Sequence, residues 1–387
     1  FLSESNREHS YLCNALKHMQ NIPKKHQTVF NIISEAAQEL ESPVYVVGGY
    51  VRDYYLGRSK SGDIDIDFVT VGSGINLARK VSDKIKGSSL AVYNQFGTAQ
   101  VKTGDLELEF VGARKESYRK NSRKPLVEDG TLEDDQLRRD LTINALSWSL
   151  NKEDYGALND PFNGMNDLEQ SLIRTPIDPE QTFDDDPLRM MRAIRFASQL
   201  DFRIEEETFD AITKMSERIN IISKERIIEE LNKIILSDNP SLGFTMLFKT
   251  ELLKEFFPEM YNLHGVKEVN GVRHKDNFWH TLQVLDNVIE MDADLWLRWS
   301  AIMHDIAKPP TQRFHKEAGW TFHGHDALGA KWTKKIFRRL GLPLDERMRY
   351  VRKLVRLHLR PIALVSDEVS DSAIRRLIYE AGEDIDD

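Results

Sequence analysis

The chain has 387 residues, 40% hydrophobic and 30% charged, with a formal net charge of −9. This predicts a soluble globular protein of about two or three domains, and the net acidity excludes indiscriminate coating of nucleic acid while leaving room for local basic surfaces. The sequence has no apolar run near the ~18 residues of a membrane span and no recognisable secretory leader, so no membrane partner is expected; the single cysteine, Cys13, excludes a disulfide framework and suits a reducing cytoplasm.

The chain opens on Phe1 rather than methionine, which points to a fragment at one or both ends. Residues 1–42 place apolar side chains at helical spacing: Leu12, Leu16 and Met19, then Phe30, Ile33, Ala37 and Leu40. They read as helices packed on the segment that follows. Val44-Tyr45-Val46-Val47 is the mark of a buried strand, and Gly48-Gly49 stops it. A glycine pair lets backbone approach a bound group, and the helical turn after it aims free N–H groups at that group, as a phosphate requires. After Arg52, Asp53, a short helix to Leu56 and a polar loop, Asp63 to Thr70 alternates strictly, so its aspartates line one strand face. Neighbours on such a face are about 7 Å apart, within reach of two divalent ions about 3.5–4 Å apart, and carboxylate oxygens suit Mg2+. Alone, the alternation reads as a solvated edge strand; the glycine pair and Arg52-Asp53 beside it favour phosphoryl transfer.

This stretch resembles the signature of the DNA polymerase beta superfamily. Its Gly48-Gly49-Tyr50-Val51-Arg52-Asp53 and Asp65-Ile66-Asp67-Phe68-Val69-Thr70 are similar to the class II branch that holds tRNA CCA-adding enzymes and bacterial poly(A) polymerases. The resemblance implies an α+β fold: a polymerase-beta-like nucleotidyltransferase head with a mixed sheet, then a helical neck and a helical HD domain. It assigns Mg2+ to Asp65 and Asp67, with Asp63 a competitor because the loop after Gly57 is longer than the family's.

A helix over 76–86 and two hairpin strands around 90–111 are expected next. Glu109 lies five before Arg114, the family's spacing for a third acidic residue, although Glu107 and Glu109 also fit the outer face of an amphipathic strand. Residues 112–125 hold six Lys or Arg against one Glu and read either as a solvated flexible loop or as a mobile segment touching tRNA phosphates. Arg138-Arg139-Asp140-Leu141-Thr142-Ile143-Asn144 resembles the family's second motif. Its arginines suit bidentate phosphate binding, and a helix here would put Asp140 and Asn144 on one face, holding the arginines and a ribose hydroxyl.

Asp160 to Leu168 reads as a turn-rich linker similar to the family's DPFxGxxDL. Asp185-Asp186-Pro187-Leu188-Arg189 resembles EDxxR with Asp in place of Glu, and Asp186, Arg189, Arg192 and Arg195 recur every three residues along a helix that Pro187 opens. An aspartate accepts from the exocyclic amino group of C or A while an arginine donates to the ring. The resemblance therefore implies base choice by Asp186 and Arg189, with Arg192 and Arg195 near the triphosphate; in isolation the spacing reads as an intrahelical ion-pair ladder. Glu225 to Leu231 resembles ERIxxEL and reads as a brace.

His280, His304-Asp305, Lys308-Pro309, His323, His325, Asp326 and His358 resemble an HD domain, implying a transition-metal site on His280, His304 and Asp305 that Asp371 would complete. Eleven basic residues against two acidic from Lys331 to Arg360 read as a surface for tRNA phosphates or as a solvated face.

The expected domains are N-terminal helices over 1–42, a head over 43–158, a neck with an RNA-binding region over 159–262 and an HD domain over 263–387. The implied activity is untemplated addition of CCA to tRNA from CTP and ATP, with Gly48, Gly49, Arg52, Asp53, Arg138, Arg139, Asp140 and Asn144 around the nucleotide. Poly(A), CC-only or A-only addition are the alternatives, with an HD metal phosphohydrolase as one of another class.

Overall fold

The computed structural model describes residues 19, 21–58, 64–119, 122–363 and 370–385; Leu12, Leu16 and Asp63 lie outside them. The chain forms two compact units, Phe1–Asp185 and Asp186–Asp387.

In the first unit, α1 (Lys24–Glu39) buries Val29, Phe30, Ile33, Ala36 and Ala37, one stripe at helical spacing. It packs on a seven-stranded sheet of β1 (Val44–Val47), β2 (Ile64–Thr70), β3 (Ser89–Tyr93), β4 (Thr98–Thr103), β5 (Leu106–Gly112), β8 (Ser147–Ser149) and β9 (Leu158–Asn159). The order is β3-β4-β5-β2-β1-β8-β9. Only β2 and β5 run parallel, in a register that sets Asp65 opposite Glu107 and Asp67 opposite Glu109. Alternation then sorts the two faces. Ile66, Phe68, Leu108 and Phe110 are fully buried on one, where Phe68 stacks on Phe110 at 5.1 Å and takes the edge of Phe30 at 5.8 Å. Each such ring contributes about 1.5–3 kcal/mol by leaving water, which fixes the register and forces the carboxylates onto the opposite face.

Several sequence expectations are corrected here. The helix expected over 76–86 is α3 (Gly74–Lys84), starting earlier because Ser73 caps it by accepting from Asn76 N. Three strands, not two, fill 89–112, since turns follow both Tyr93 and Thr103. The basic stretch is a hairpin rather than a flexible loop, β6 (Arg114–Arg119) against β7 (Ser122–Asp129). Arg114 faces Asp129 and Lys115 faces Glu128, so opposite charges stabilise the pairing.

After the hairpin comes α4 (Leu132–Leu137), opened by a capping box between Thr131 and Asp134. The second motif is not a helix beyond that point: the chain turns at Arg138–Asp140 and makes one 3-10 turn over Thr142–Asn144 before β8. The expected linker at 160–168 is instead packed into this unit. Asp160 accepts from Gly164 N at 2.6 Å and Met165 N at 2.9 Å, starting α5 (Gly164–Glu169). A Cβ on Gly164 would lie 2.5 Å from Thr142 O, which is why the motif needs glycine there. The buried Asp167 accepts from Thr142 Oγ1 at 2.6 Å and so ties α5 to the second motif. The unit closes with α6 (Pro179–Asp185).

The second unit is helical: α7 (Leu188–Leu200), α8 (Glu206–Met215), α9 (Lys224–Ile235), α10 (Pro240–Lys249), α11 (Asn277–Ile289), α12 (Leu295–Met303), α13 (His325–Leu340), α14 (Glu346–Leu357) and α15 (Asp371–Ala381) are its main elements. Asp276 and Asp294 cap α11 and α12. The buried Arg298 of α12 donates to Ile235 O and Ser237 O, and Trp299 Nε1 donates to Asn232 Oδ1, all on or just after α9. These bonds bind the neck helices to the HD helices as one body.

Candidate active site

Gly48 ends β1 with φ +73°, a backbone conformation that L side chains rarely adopt. A Cβ there would lie 3.2 Å from Arg139 Nη1 and 3.7 Å from Asp67 Oδ2. The glycine turn, the acidic strand and the second motif therefore meet at one point, and α2 (Gly49–Tyr55) starts from it.

Asp65 and Asp67 are exposed on the open face of β2, with Glu109 beside them on β5. Desolvation, then the charges of Asp67 and Asp65, pushes the Glu109 carboxyl above its ordinary range. Mutually repelling carboxylates of this kind are an all-oxygen donor set that fits a hard divalent cation. They do not close on one another in the bare chain: among the described residues, the groups that bring three possible metal ligands within 4.8 Å of one another are both in the second unit.

The arginines are held by acids that sequence reasoning did not single out. Asp135 of α4 is fully buried; one oxygen accepts from Arg138 Nη2 and the other from Arg139 Nε and Nη2 at 3.1 and 2.9 Å. Burial alone would raise its pKa, but the two guanidinium groups outweigh that and hold it below the ordinary range. The signal was present in its position three and four residues before the arginines, masked by the acidic first turn that helix capping already explains. Asp140 and Asn144 do pair, Asn144 Nδ2 donating to Asp140 Oδ1 at 3.1 Å, through a turn rather than along a helix face. Arg52 is buried, with Nε bonded to Asp53 Oδ1 and Nη1 to Asn144 Oδ1 at 2.7 Å. It braces the glycine turn against the second motif.

In the second unit, Asp186 accepts from Leu188 N at 3.1 Å, just past Pro187, and from Arg226 Nη2 at 3.1 Å. Arg189 is buried on α7 and Arg192 is half-buried, 5.6 Å from the Phe196 ring centre. Arg195 is buried, donating to Glu230 Oε2 at 2.5 Å and Gln199 Oε1 at 2.8 Å with its guanidinium over Phe196, so it fastens α7 to α9. Both partners, Arg226 and Glu230, come from the segment read as a brace.

The HD residues converge on Asp305, which is almost fully buried. His304 Nε2 lies 3.0 Å and Lys308 Nζ 2.5 Å from its Oδ2, and His325 Nε2 lies 3.2 Å from its Oδ1; His280 and His358 are each 3.8 Å away. The Nδ1 atoms of His304, His325 and His358 each sit 2.6–2.8 Å from a backbone carbonyl three residues earlier. A carbonyl only accepts, so each neutral ring carries its proton on Nδ1 and turns an Nε2 lone pair inward. Yet His325 Nε2 and His358 Nε2 are 3.2 Å apart, and the buried Asp305 Oδ2 has no well-oriented hydrogen bond. Facing lone pairs around a buried carboxylate are what a cation would satisfy. Burial lowers His280 and drives His358 down to about 4, keeping both neutral as ligands must be. Burial would raise Asp305, but the Lys308 ammonium against it favours the charged form and it stays far below the carboxylate range. His325 and His358 thus complete the set; Asp371, exposed at the start of α15, is not in either ligand group.

One parallel strand contact that brings two acidic segments side by side under a glycine turn defines the first unit as a nucleotidyltransferase-type head, and the His-Asp cluster defines the other's C-terminal half as an HD domain. Comparisons agree: residues 44–174 match the poly A polymerase head domain, 201–263 the probable RNA and SrmB-binding site of polymerase A, and 277–383 the HD domain. The CCA-adding enzyme of Ligilactobacillus salivarius is 37% identical over 297 residues, 75% of this chain and 70% of that one. The A-adding tRNA nucleotidyltransferase of Aquifex aeolicus is 35% identical over 253 residues, 64% of this chain; the match spans only 29% of that longer protein. A solved CCA-adding enzyme with ATP superposes with a TM-score of 0.68 at 25% identity, covering 94% of this chain and 78% of that one. The chain belongs to the class II CCA-adding nucleotidyltransferase family, in its branch with a C-terminal HD domain. Among the described residues no helix is long and apolar enough to cross a membrane.

Proposed function

We propose that this chain adds the 3′-terminal CCA to tRNA from CTP and ATP without a nucleic-acid template. The observation that carries the reading is the meeting of Asp67, Arg139 and Gly48 at a point with no room for a side chain. Asp65, Asp67 and Glu109 would hold Mg2+, which when bound stabilises the attacking and leaving oxygens of phosphoryl transfer. The RNA 3′-hydroxyl oxygen forms a bond to the α-phosphorus, the bond from that phosphorus to the bridging oxygen breaks, and pyrophosphate leaves with the electron pair. The hydroxyl proton passes to water. Arg138 and Arg139, aimed by Asp135, grip phosphate oxygens, and the backbone of Gly48 and Gly49 admits the triphosphate. Asp186 accepts from the amino group of C or A and Arg189 donates to the ring, a pattern that U and G do not match. His280, His304, Asp305, His325 and His358 would hold a transition metal, a nitrogen-rich set poorly suited to Mg2+.

The test supplies purified protein with tRNA lacking its end and with CTP, ATP or both. Two C residues followed by one A are expected, with Asp67→Ala reducing incorporation at least ~10²–10³-fold at unchanged fold. Incorporation of A alone would move the chain to the A-adding activity for which the Aquifex aeolicus relative is named, and unlimited A runs would make it a poly(A) polymerase. No incorporation, or full activity in Asp67→Ala, would end the proposal.

A further inference from the structure

The open face of the head sheet carries more than the carboxylates that would hold Mg2+. Antiparallel pairing of β4 with β5 sets Lys102 opposite Glu107 and Gln100 opposite Glu109. Ala99 and Val101 are fully buried, so alternation turns Thr98, Gln100 and Lys102 to the acidic side. Glu107 holds two of them together: Lys102 Nζ donates to its Oε1 at 2.5 Å and Gln100 Nε2 to its Oε2 at 3.1 Å. Among the described residues that β2, β5, β4 and β3 turn to this face, Lys102 is the one cation, beside Asp65, Asp67, Glu107 and Glu109.

The Lys102 side chain is 47% exposed, and an exposed cross-strand pair of this kind adds little to stability. What distinguishes it is its place in the sheet. The face runs from the end of β1, where Gly48 and Arg139 would admit and grip the triphosphate, through Asp67 on β2 and Glu109 on β5 to β4. In-line phosphoryl transfer puts the attacking oxygen on the side of the α-phosphorus opposite the departing pyrophosphate. With pyrophosphate on the β1 side, the hydroxyl arrives on the β5 side, and the nucleotide that bears it lies over β4, about 10 Å or two strand spacings from Asp67. The 5′-phosphate of that nucleotide is an anion that must settle beside four carboxylates. Lys102 offers it a positive charge and Gln100 an amide donor, both aimed by Glu107. A lysine has three N–H donors, so Lys102 can keep Glu107 while it meets a phosphate.

We infer that Lys102, with Gln100 beside it, binds the phosphate joining the last two nucleotides of the RNA being extended, so that β4 receives the acceptor strand. The inference rests on the transfer reading above and adds to it the side from which the RNA enters, through a contact that belongs neither to the metal ligands nor to the nucleotide pocket.

The experiment follows addition of one nucleotide to two RNA hairpin acceptors, identical except that the last phosphodiester of one is a neutral methylphosphonate, by the parent, Lys102→Ala and Lys102→Arg. The parent should extend the charged acceptor with a kcat/KM about tenfold or more above the neutral one, the worth of one charge-assisted hydrogen bond. Lys102→Ala should lose that preference through the KM for RNA, with the KM for the nucleotide unchanged, and Lys102→Arg should keep it. Direct binding of the charged acceptor across a salt series should show the slope of log affinity against log salt reduced by about 0.7–0.9 in Lys102→Ala, one phosphate's share. If the alanine variant melts far below the parent, Lys102→Gln replaces it, with the same loss of preference expected. A parent that does not distinguish the acceptors, or a folded alanine variant that prefers the charged one as strongly as the parent, overturns the inference and leaves the transfer reading intact. An equal fall on both acceptors with a raised Mg2+ requirement also overturns it, and makes Lys102 a charge balance for the carboxylates. If the parent extends neither acceptor nor tRNA, the transfer reading itself fails and the inference falls with it.

Discussion

Replacing Asp135 by asparagine isolates the charge that aims the paired arginines. The side chain keeps its shape and one acceptor oxygen, but a fully enclosed carboxylate serving three N–H donors becomes a neutral amide. Charge-assisted hydrogen bonds contribute about 1.5–3 kcal/mol each. Arg138 and Arg139 are 22% and 18% exposed and recover part of that from water, so the expected loss is about 2–4 kcal/mol. For a unit of this size that corresponds to a fall in Tm of roughly 5–15 °C, read by thermal melting. The pH dependence carries the same signature. Because the folded pKa is depressed, the stabilisation is complete above the unfolded value of about 3.9 and disappears as pH falls through the folded value; Asp135→Asn should lack that acid-side loss. In the transfer assay, arginines freed from Asp135 should raise the nucleotide KM about tenfold with a smaller effect on kcat. A variant melting within a degree of the parent, with an unchanged KM, would refute the reasoning.

Gly48→Ala should cost about 1–3 kcal/mol from backbone strain and should crowd Arg139 and Asp67 as well, so incorporation should fall further than the melting shift explains. Glu109→Gln tests the carboxylate cluster. Its raised pKa means that its own contribution to stability is most favourable below about pH 4 and falls as pH rises through the folded value, so the neutral variant should melt higher than the parent at pH 7 without metal and show a weaker response to added Mg2+. His358→Ala should lower the transition-metal content of the purified chain, measured by elemental analysis, and leave CCA addition unchanged; undiminished metal content would remove His358 from the ligand set.

Much of the fold was legible because its periodicities are unambiguous: the alternation of Ile66 and Phe68 against Asp65 and Asp67 permits one burial pattern, and the stripe on α1 permits one helix face. The errors share a cause in partners that lie far along the chain. Arg114 and Lys115 looked like a solvated charge run because Asp129 and Glu128 that face them come after the turn. Asp160 to Leu168 looked like a linker because Thr142, which needs the close approach of Gly164, belongs to another motif. The partners of Arg52 and Arg195 were equally hidden, since nothing local revealed that Asn144 and Glu230 engage them. The metal cluster was half legible: His304-Asp305 announces itself as adjacent residues, whereas His325 and His358 join it only when the two ends of an antiparallel helix pair meet.

The bond that Arg226 donates to Asp186 and the one that Glu230 accepts from Arg195 make α9 the mounting of α7. If α7 chooses the base as proposed, an error in which nucleotide is added can originate in a residue that never meets one. A search for altered base preference confined to α7 would overlook half of the ruler, and substitutions in α9 that look like mere loosening of a scaffold should surface as wrong letters at the end of an RNA.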